Sequence, residues 1–81
     1  MKVRVIYFGV VRERLGIEAE TYELADGAVV GDFQRQLAAR IGDDRAGAGA
    51  VRVAVNREYV DSGHALLDND EIAVIPPVSG G

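Results

Sequence analysis

Apolar and polar positions divide the chain into short segments with distinct periods. Lys2-Val3-Arg4-Val5-Ile6-Tyr7-Phe8 alternates at first and then runs continuously apolar, with β-branched and aromatic residues suited to a pleated surface. This predicts a central strand, ended by Gly9. Val10 to Gly16 reads as a short helical turn closed by its glycine. Glu20-Thr21-Tyr22-Glu23-Leu24 alternates as a half-buried strand does and pairs with the first strand as a wide hairpin, with Ala25-Asp26-Gly27 as the following turn. Val30, Phe33, Leu37, Ala38 and Ile41 then fall at three-four spacing on one helix face, and Gly42 stops the helix. Its start is weakly signed, because Ala28 and Val29 carry no capping oxygen, although Asp32 suits the positive end of the helix dipole.

Asp43 to Gly49 is small and polar and predicts a loop. Val51-Arg52-Val53-Ala54-Val55 alternates again, Asn56-Arg57-Glu58 turns into a short strand at Tyr59-Val60, and Asp68-Asn69-Asp70 precedes a final strand, Glu71 to Ile75. One main helix can cover one face of a mixed sheet whose first and last strands are neighbours, which makes a two-layer α+β domain. The order and size are those of the ubiquitin-like β-grasp. The organisation expected is a domain over residues 1–75 and an extended tail over 76–81.

Composition narrows the function classes. At 81 residues there is room for one core. Nine basic against thirteen acidic side chains give a net charge of −4, which argues against a nucleic-acid partner. With no cysteine the chain has no thiolate metal site, thioester or persulfide of its own, and one histidine makes no His-pair site. No Gly-x-x-x-x-Gly-Lys-Ser/Thr loop is present to grip a nucleotide. The charged start is unlike a signal peptide and no apolar run approaches a membrane span, so a cytoplasmic protein without a membrane partner is expected.

The chemistry concentrates in Pro76-Pro77-Val78-Ser79-Gly80-Gly81. Two prolines stop sheet pairing and stiffen the exit, and two glycines remove every β-carbon from the end. Fully extended, six residues span roughly 20 Å, enough to carry a carboxylate into a narrow channel. At average usage of ~5% Pro and ~7% Gly, those four positions arise by chance roughly once in a hundred thousand. A terminal carboxylate is an anion at neutral pH and a poor electrophile, so a partner must activate it. Sulfur arriving at the resulting acyl-adenylate would give a thiocarboxylate, a way to carry sulfur without a cysteine.

Val53 to Val60, then Leu67 to Gly81, together with Tyr7-Phe8, Val11-Arg12-Glu13 and Leu15-Gly16, resemble the small subunits of molybdopterin synthase, the MoaD-like ubiquitin-fold sulfur carriers. The resemblance covers essentially the whole chain and is most specific at its ending. It implies that the Gly81 carboxylate is adenylated, with ATP, by a ubiquitin-activating-like adenylyltransferase and converted to a thiocarboxylate. Residues Pro76, Pro77, Val78, Ser79 and Gly80 would thread into a large subunit, where sulfur passes to cyclic pyranopterin monophosphate in molybdenum cofactor biosynthesis. It further implies two carriers flanking a dimer of large subunits, no cofactor bound by this chain, catalytic residues on the large subunit, and a partner-facing patch at Phe8, Tyr59 and Ile75. Gly9-Val10 and Val29 depart from bulkier polar and Thr or Ser residues in many members, which bears on local caps and loop shape. A carrier for another sulfur pathway, a ubiquitin-like protein modifier and a plain interaction module are the alternatives.

Other polar residues read as structural. His64 lacks a nucleophile beside it and fits a turn. Asp43-Asp44 and the Asp68, Asp70, Glu71 group lack the Ca²⁺ loop pattern and read as solvated turns, so no metal is expected. Arg12 and Arg57 read as exposed charges.

Overall fold

The computed structural model describes residues 1–41 and 51–76. The elements are β1 (Lys2–Tyr7), α1 (Gly9–Leu15), β2 (Ala19–Glu23), α2 (Val30–Ile41), β3 (Arg52–Val55), β4 (Glu58–Val60) and β5 (Glu71–Ile75). They form one five-stranded sheet in the order β2-β1-β5-β3-β4. β1 and β5 run parallel, with Arg4 opposite Glu71 and Tyr7 opposite Val74, while the other pairings are antiparallel. This is the ubiquitin-like β-grasp, with the first and last strands side by side as the pattern predicts.

Alternation along the strands sends one set of side chains into the core. Val3, Val5 and Tyr7 from β1, Val53 and Val55 from β3, and Ile72 and Val74 from β5 face α2, which returns Val30, Phe33 and Leu37. Phe33 is fully buried and meets Tyr22 edge-on, with ring centroids 5.1 Å apart. α1 adds Val11 to the core and ends at Gly16, whose left-handed conformation brings its N–H to Arg12 O at 2.8 Å.

The start of α2 is held by bonds that the local sequence does not announce. Val29 N–H donates to Asp32 Oδ2 at 2.9 Å, the return limb of a capping box. Val30 N–H donates to His64 O at 2.9 Å and Gly31 N–H to Ser62 O at 2.8 Å. The helix N–H groups that would otherwise lack partners are thus satisfied by carbonyls from a turn some thirty residues later. At the other end, Arg40 donates to Glu20 at 2.5 Å and to the Tyr22 hydroxyl at 2.6 Å, and the buried Tyr7 hydroxyl also donates to Glu20. Burial and the bond to Glu20 push the Tyr7 hydroxyl well above the usual tyrosine range. The Glu20 bond likewise raises Arg40, and the cluster fastens α2 to β1 and β2.

One acidic turn differs from expectation. Asp70 is buried rather than solvated, and it accepts hydrogen bonds from Asn56 Nδ2 at 2.9 Å and from Leu67 N–H at 2.8 Å. Asn56 in turn accepts from Glu71 N–H at 3.0 Å, so the carboxylate joins the β3–β4 turn to the start of β5. Burial is affordable here because the charge is bonded to neighbouring donors. Asp43-Asp44 and the loop around them lie outside the described residues. Among the described residues no helix is long and apolar enough to cross a membrane.

Candidate functional site

The sheet has a second face that α2 does not cover, and the strand register shows what lies on it. Ala19 of β2 stands opposite Ile6 of β1, Ile6 opposite Ala73 of β5, Ala73 opposite Ala54 of β3, and Ala54 opposite Tyr59 of β4. An apolar row with small residues at its centre therefore crosses all five strands. The row below it is polar, with Thr21 opposite Arg4 and Arg4 opposite Glu71.

The row above is where β5 ends. Phe8 is extended (φ −129°, ψ 157°), so it continues the alternation of β1 onto the uncovered face, and its N–H donates to Val74 O at 3.2 Å. This continues the parallel ladder and sets Phe8 beside Ile75, which is itself opposite Arg52 of β3. Phe8 is 44% exposed and Tyr59 57% exposed, while Ile75 is half-buried between its neighbours. Phe8, Tyr59 and Ile75 thus share one face, and none belongs to the core.

Two exposed features are absent from the sequence reading. The Arg52 guanidinium lies over the Tyr59 ring, 4.1 Å from its centroid, and covers one side of the aromatic with a cation. The alternation of β3 could have revealed it, since it puts Arg52 on the same face as Ala54. Val10, two residues after Phe8 at the start of α1, is 51% exposed. Its place in a short amphipathic turn gave no signal of exposure.

Gly9 connects this face to the base of the tail. Its φ is +57°, in the left-handed region, and a β-carbon there would stand 2.6 Å from Pro76 Cγ. The Pro76 ring therefore lies directly on the Gly9 backbone. A Gly9→Ala variant must move that proline and take an unfavourable conformation, and it is expected to lose about 1–2 kcal/mol of stability. Urea denaturation checks this; an unchanged midpoint would show that the ring shifts freely.

Among the described residues no group of three or more His, Cys, Asp or Glu side chains is placed to hold a metal ion. His64 sits in an exposed turn, with its N–H on Asp61 O at 3.1 Å. Arg12 pairs loosely with Glu18 at 3.6 Å, and Arg57 occupies the two-residue β3–β4 turn with Asn56, both at positive φ as such hairpin turns require. Pro77, Val78, Ser79, Gly80 and Gly81 lie outside the described residues, so of the predicted inserting segment only Pro76 is placed.

Comparison with known families matches residues 5–81 to the ThiS family. The chain belongs to the ThiS family. A Chlamydomonas reinhardtii relative named molybdopterin synthase sulfur carrier subunit is 43% identical over 84 residues, covering the whole of both chains. A solved Pyrococcus furiosus structure superposes with a TM-score of 0.81 at 34% identity, over 96% of this chain and 99% of that one. A Helicobacter pylori chain, solved in a protein–protein complex of subunits 1 and 2 of molybdopterin-converting factor, superposes with a TM-score of 0.71 at 25% identity over the full length of both.

Proposed function

We propose that this ThiS-family chain is the sulfur-carrying subunit of a molybdopterin synthase. The observation that carries the proposal is the exposed apolar face formed by Phe8, Ile75 and Tyr59 at the end of β5, the strand that leads into Pro76 and the Gly-Gly ending. A flat apolar face rimmed by an arginine and an aromatic has the composition of a protein–protein interface. The names of the relatives, and the two-subunit complex of the Helicobacter pylori neighbour, support a large subunit as the partner.

In this reading the sheet face docks the domain and the tail delivers its end. The Gly81 carboxylate is adenylated by a ubiquitin-activating-like partner using ATP, and sulfur displaces AMP to leave a thiocarboxylate. Pro76 to Gly80 then carry that group into the large subunit, where cyclic pyranopterin monophosphate receives the sulfur. Two such carriers flank a dimer of large subunits. Glycine at the last two positions leaves the acyl carbon open to the incoming nucleophile. Proton transfers fall to the large subunit in this reading, and this chain contributes the reactive end.

Substituting Phe8 with Asp places a charge in the middle of the docking face without touching the core. Affinity for the large subunit is expected to fall at least about 30-fold, the scale of an interface hot spot of about 2 kcal/mol. Calorimetric titration beside a melting curve measures it. Unchanged affinity would remove this face from the interface, and an unfolded variant would assign Phe8 to the core instead.

A further inference from the structure

Arg52 is exposed on the uncovered face, at the edge of its apolar patch. In register it stands opposite Ile75, and its guanidinium lies 4.1 Å from the centroid of the Tyr59 ring. A ring face attracts the cation but offers no oxygen to its five N–H donors. Among the described residues no carboxylate pairs with Arg52, whereas Arg12, Arg35 and Arg40 pair with Glu18, Asp32 and Glu20. Asp61, one residue past β4, accepts from Gly63 N–H at 3.0 Å instead.

The chain has a net charge of −4, yet the upper row of this face carries the opposite sign. Glu23 stands opposite Lys2 and Glu71 opposite Arg4, so these acidic residues lie in the lower rows, each beside a cation. Phe8, Ile75 and Arg52 form the upper row along β1, β5 and β3, and they bring one cation and no anion. A partner seated on Phe8, Ile75 and Tyr59 also takes water from Arg52, which adjoins two of the three. A guanidinium stripped of water with no oxygen to accept its hydrogen bonds is strongly unfavourable. A carboxylate supplies both the opposite charge and two oxygens that match the guanidinium fork.

We propose that Arg52 is a specificity-determining residue of the docking face, held against Tyr59 to take a carboxylate of the large subunit. The inference rests on the reading that this face docks a large subunit. The Tyr59 ring restrains the long side chain before the encounter, so less of its rotamer freedom is lost on binding. The carboxylate meets the N–H donors that the ring leaves free, and the apolar contacts around it exclude solvent. A partner with a lysine or an apolar side chain at that point would bury an uncompensated charge and is rejected. The apolar patch supplies contact area, and Arg52 selects among the partners that could cover it.

Calorimetric titration of the full chain with its purified large subunit, beside melting curves, tests this. Arg52→Gln is expected to weaken binding at least about ten-fold at an unchanged melting temperature, and Arg52→Glu further still through like-charge repulsion. The affinity of Arg52→Gln should also fall less steeply with added salt than that of the parent chain. When the large subunit's surface carboxylates are replaced one at a time by amides, one replacement should weaken binding of the parent chain similarly and leave Arg52→Gln within about two-fold. Arg52→Gln binding within about two-fold of the parent, or coupling to none of those carboxylates, would overturn the proposal. Phe8→Asp then separates the two readings. If it still weakens binding, docking at this face stands without a role for Arg52, and if it too has no effect, the face is not the interface.

Discussion

Deleting Gly81 is expected to abolish sulfur donation while leaving the domain folded and able to dock. The shortened chain still ends in a glycine carboxylate, but its reach falls by about 3.3–3.6 Å. A misplacement of 1 Å at a reacting centre can cost about 10²-fold, so a full residue should cost at least that much in single-turnover transfer to the pterin substrate. The sheet face, meanwhile, keeps Phe8, Ile75 and Tyr59 in place, and binding to the large subunit should change far less than turnover. Turnover within ten-fold of the parent chain would mean that the last residue does not carry the reactive group.

The second large effect concerns the support beneath that face. Phe33 is fully buried on α2 and packs edge-on against Tyr22 of β2, so it joins the helix to the sheet at the centre of the core. Phe33→Ala is expected to cost about 3–5 kcal/mol, from lost transfer energy and the cavity left behind. A domain of 81 residues has roughly 4–12 kcal/mol in total, so the variant should retain little margin. Urea unfolding followed by circular dichroism reads the loss directly. A cost below about 1 kcal/mol would show that the surrounding side chains collapse into the space and that the helix does not depend on this ring.

Much of the architecture was legible because burial here follows simple periods. Val3, Val5 and Tyr7 alternate with Lys2, Arg4 and Ile6, and the alternation assigns each set to a face. Val30, Phe33 and Leu37 mark the buried stripe of α2 at helical spacing. The grouping of Phe8, Tyr59 and Ile75 was implied by the resemblance and not by period, and the strand register puts the three on the uncovered face from separate segments of sequence.

What was not legible depends on pairs distant along the chain. Two caps of α2 come from the carbonyls of Ser62 and His64, and no local motif can signal a donor–acceptor pair separated by α2 itself, β3 and β4. Asp70 looked like part of a solvated acidic turn because only the fold brings Asn56 against it. The close approach of Pro76 to Gly9 likewise exists only once β1 and β5 lie side by side. The cation over Tyr59 requires the β3–β4 register, which places Arg52 near the ring from seven residues away.

Sulfur carriage at the end of this chain is tested by the intact mass of the protein taken rapidly from its native cells. The expected species is heavier by the difference between one sulfur and one oxygen, located at Gly81 by fragmentation and absent when Gly81 is deleted. An unmodified chain throughout, in cells actively making molybdopterin and under conditions that preserve a thiocarboxylate standard, would contradict it.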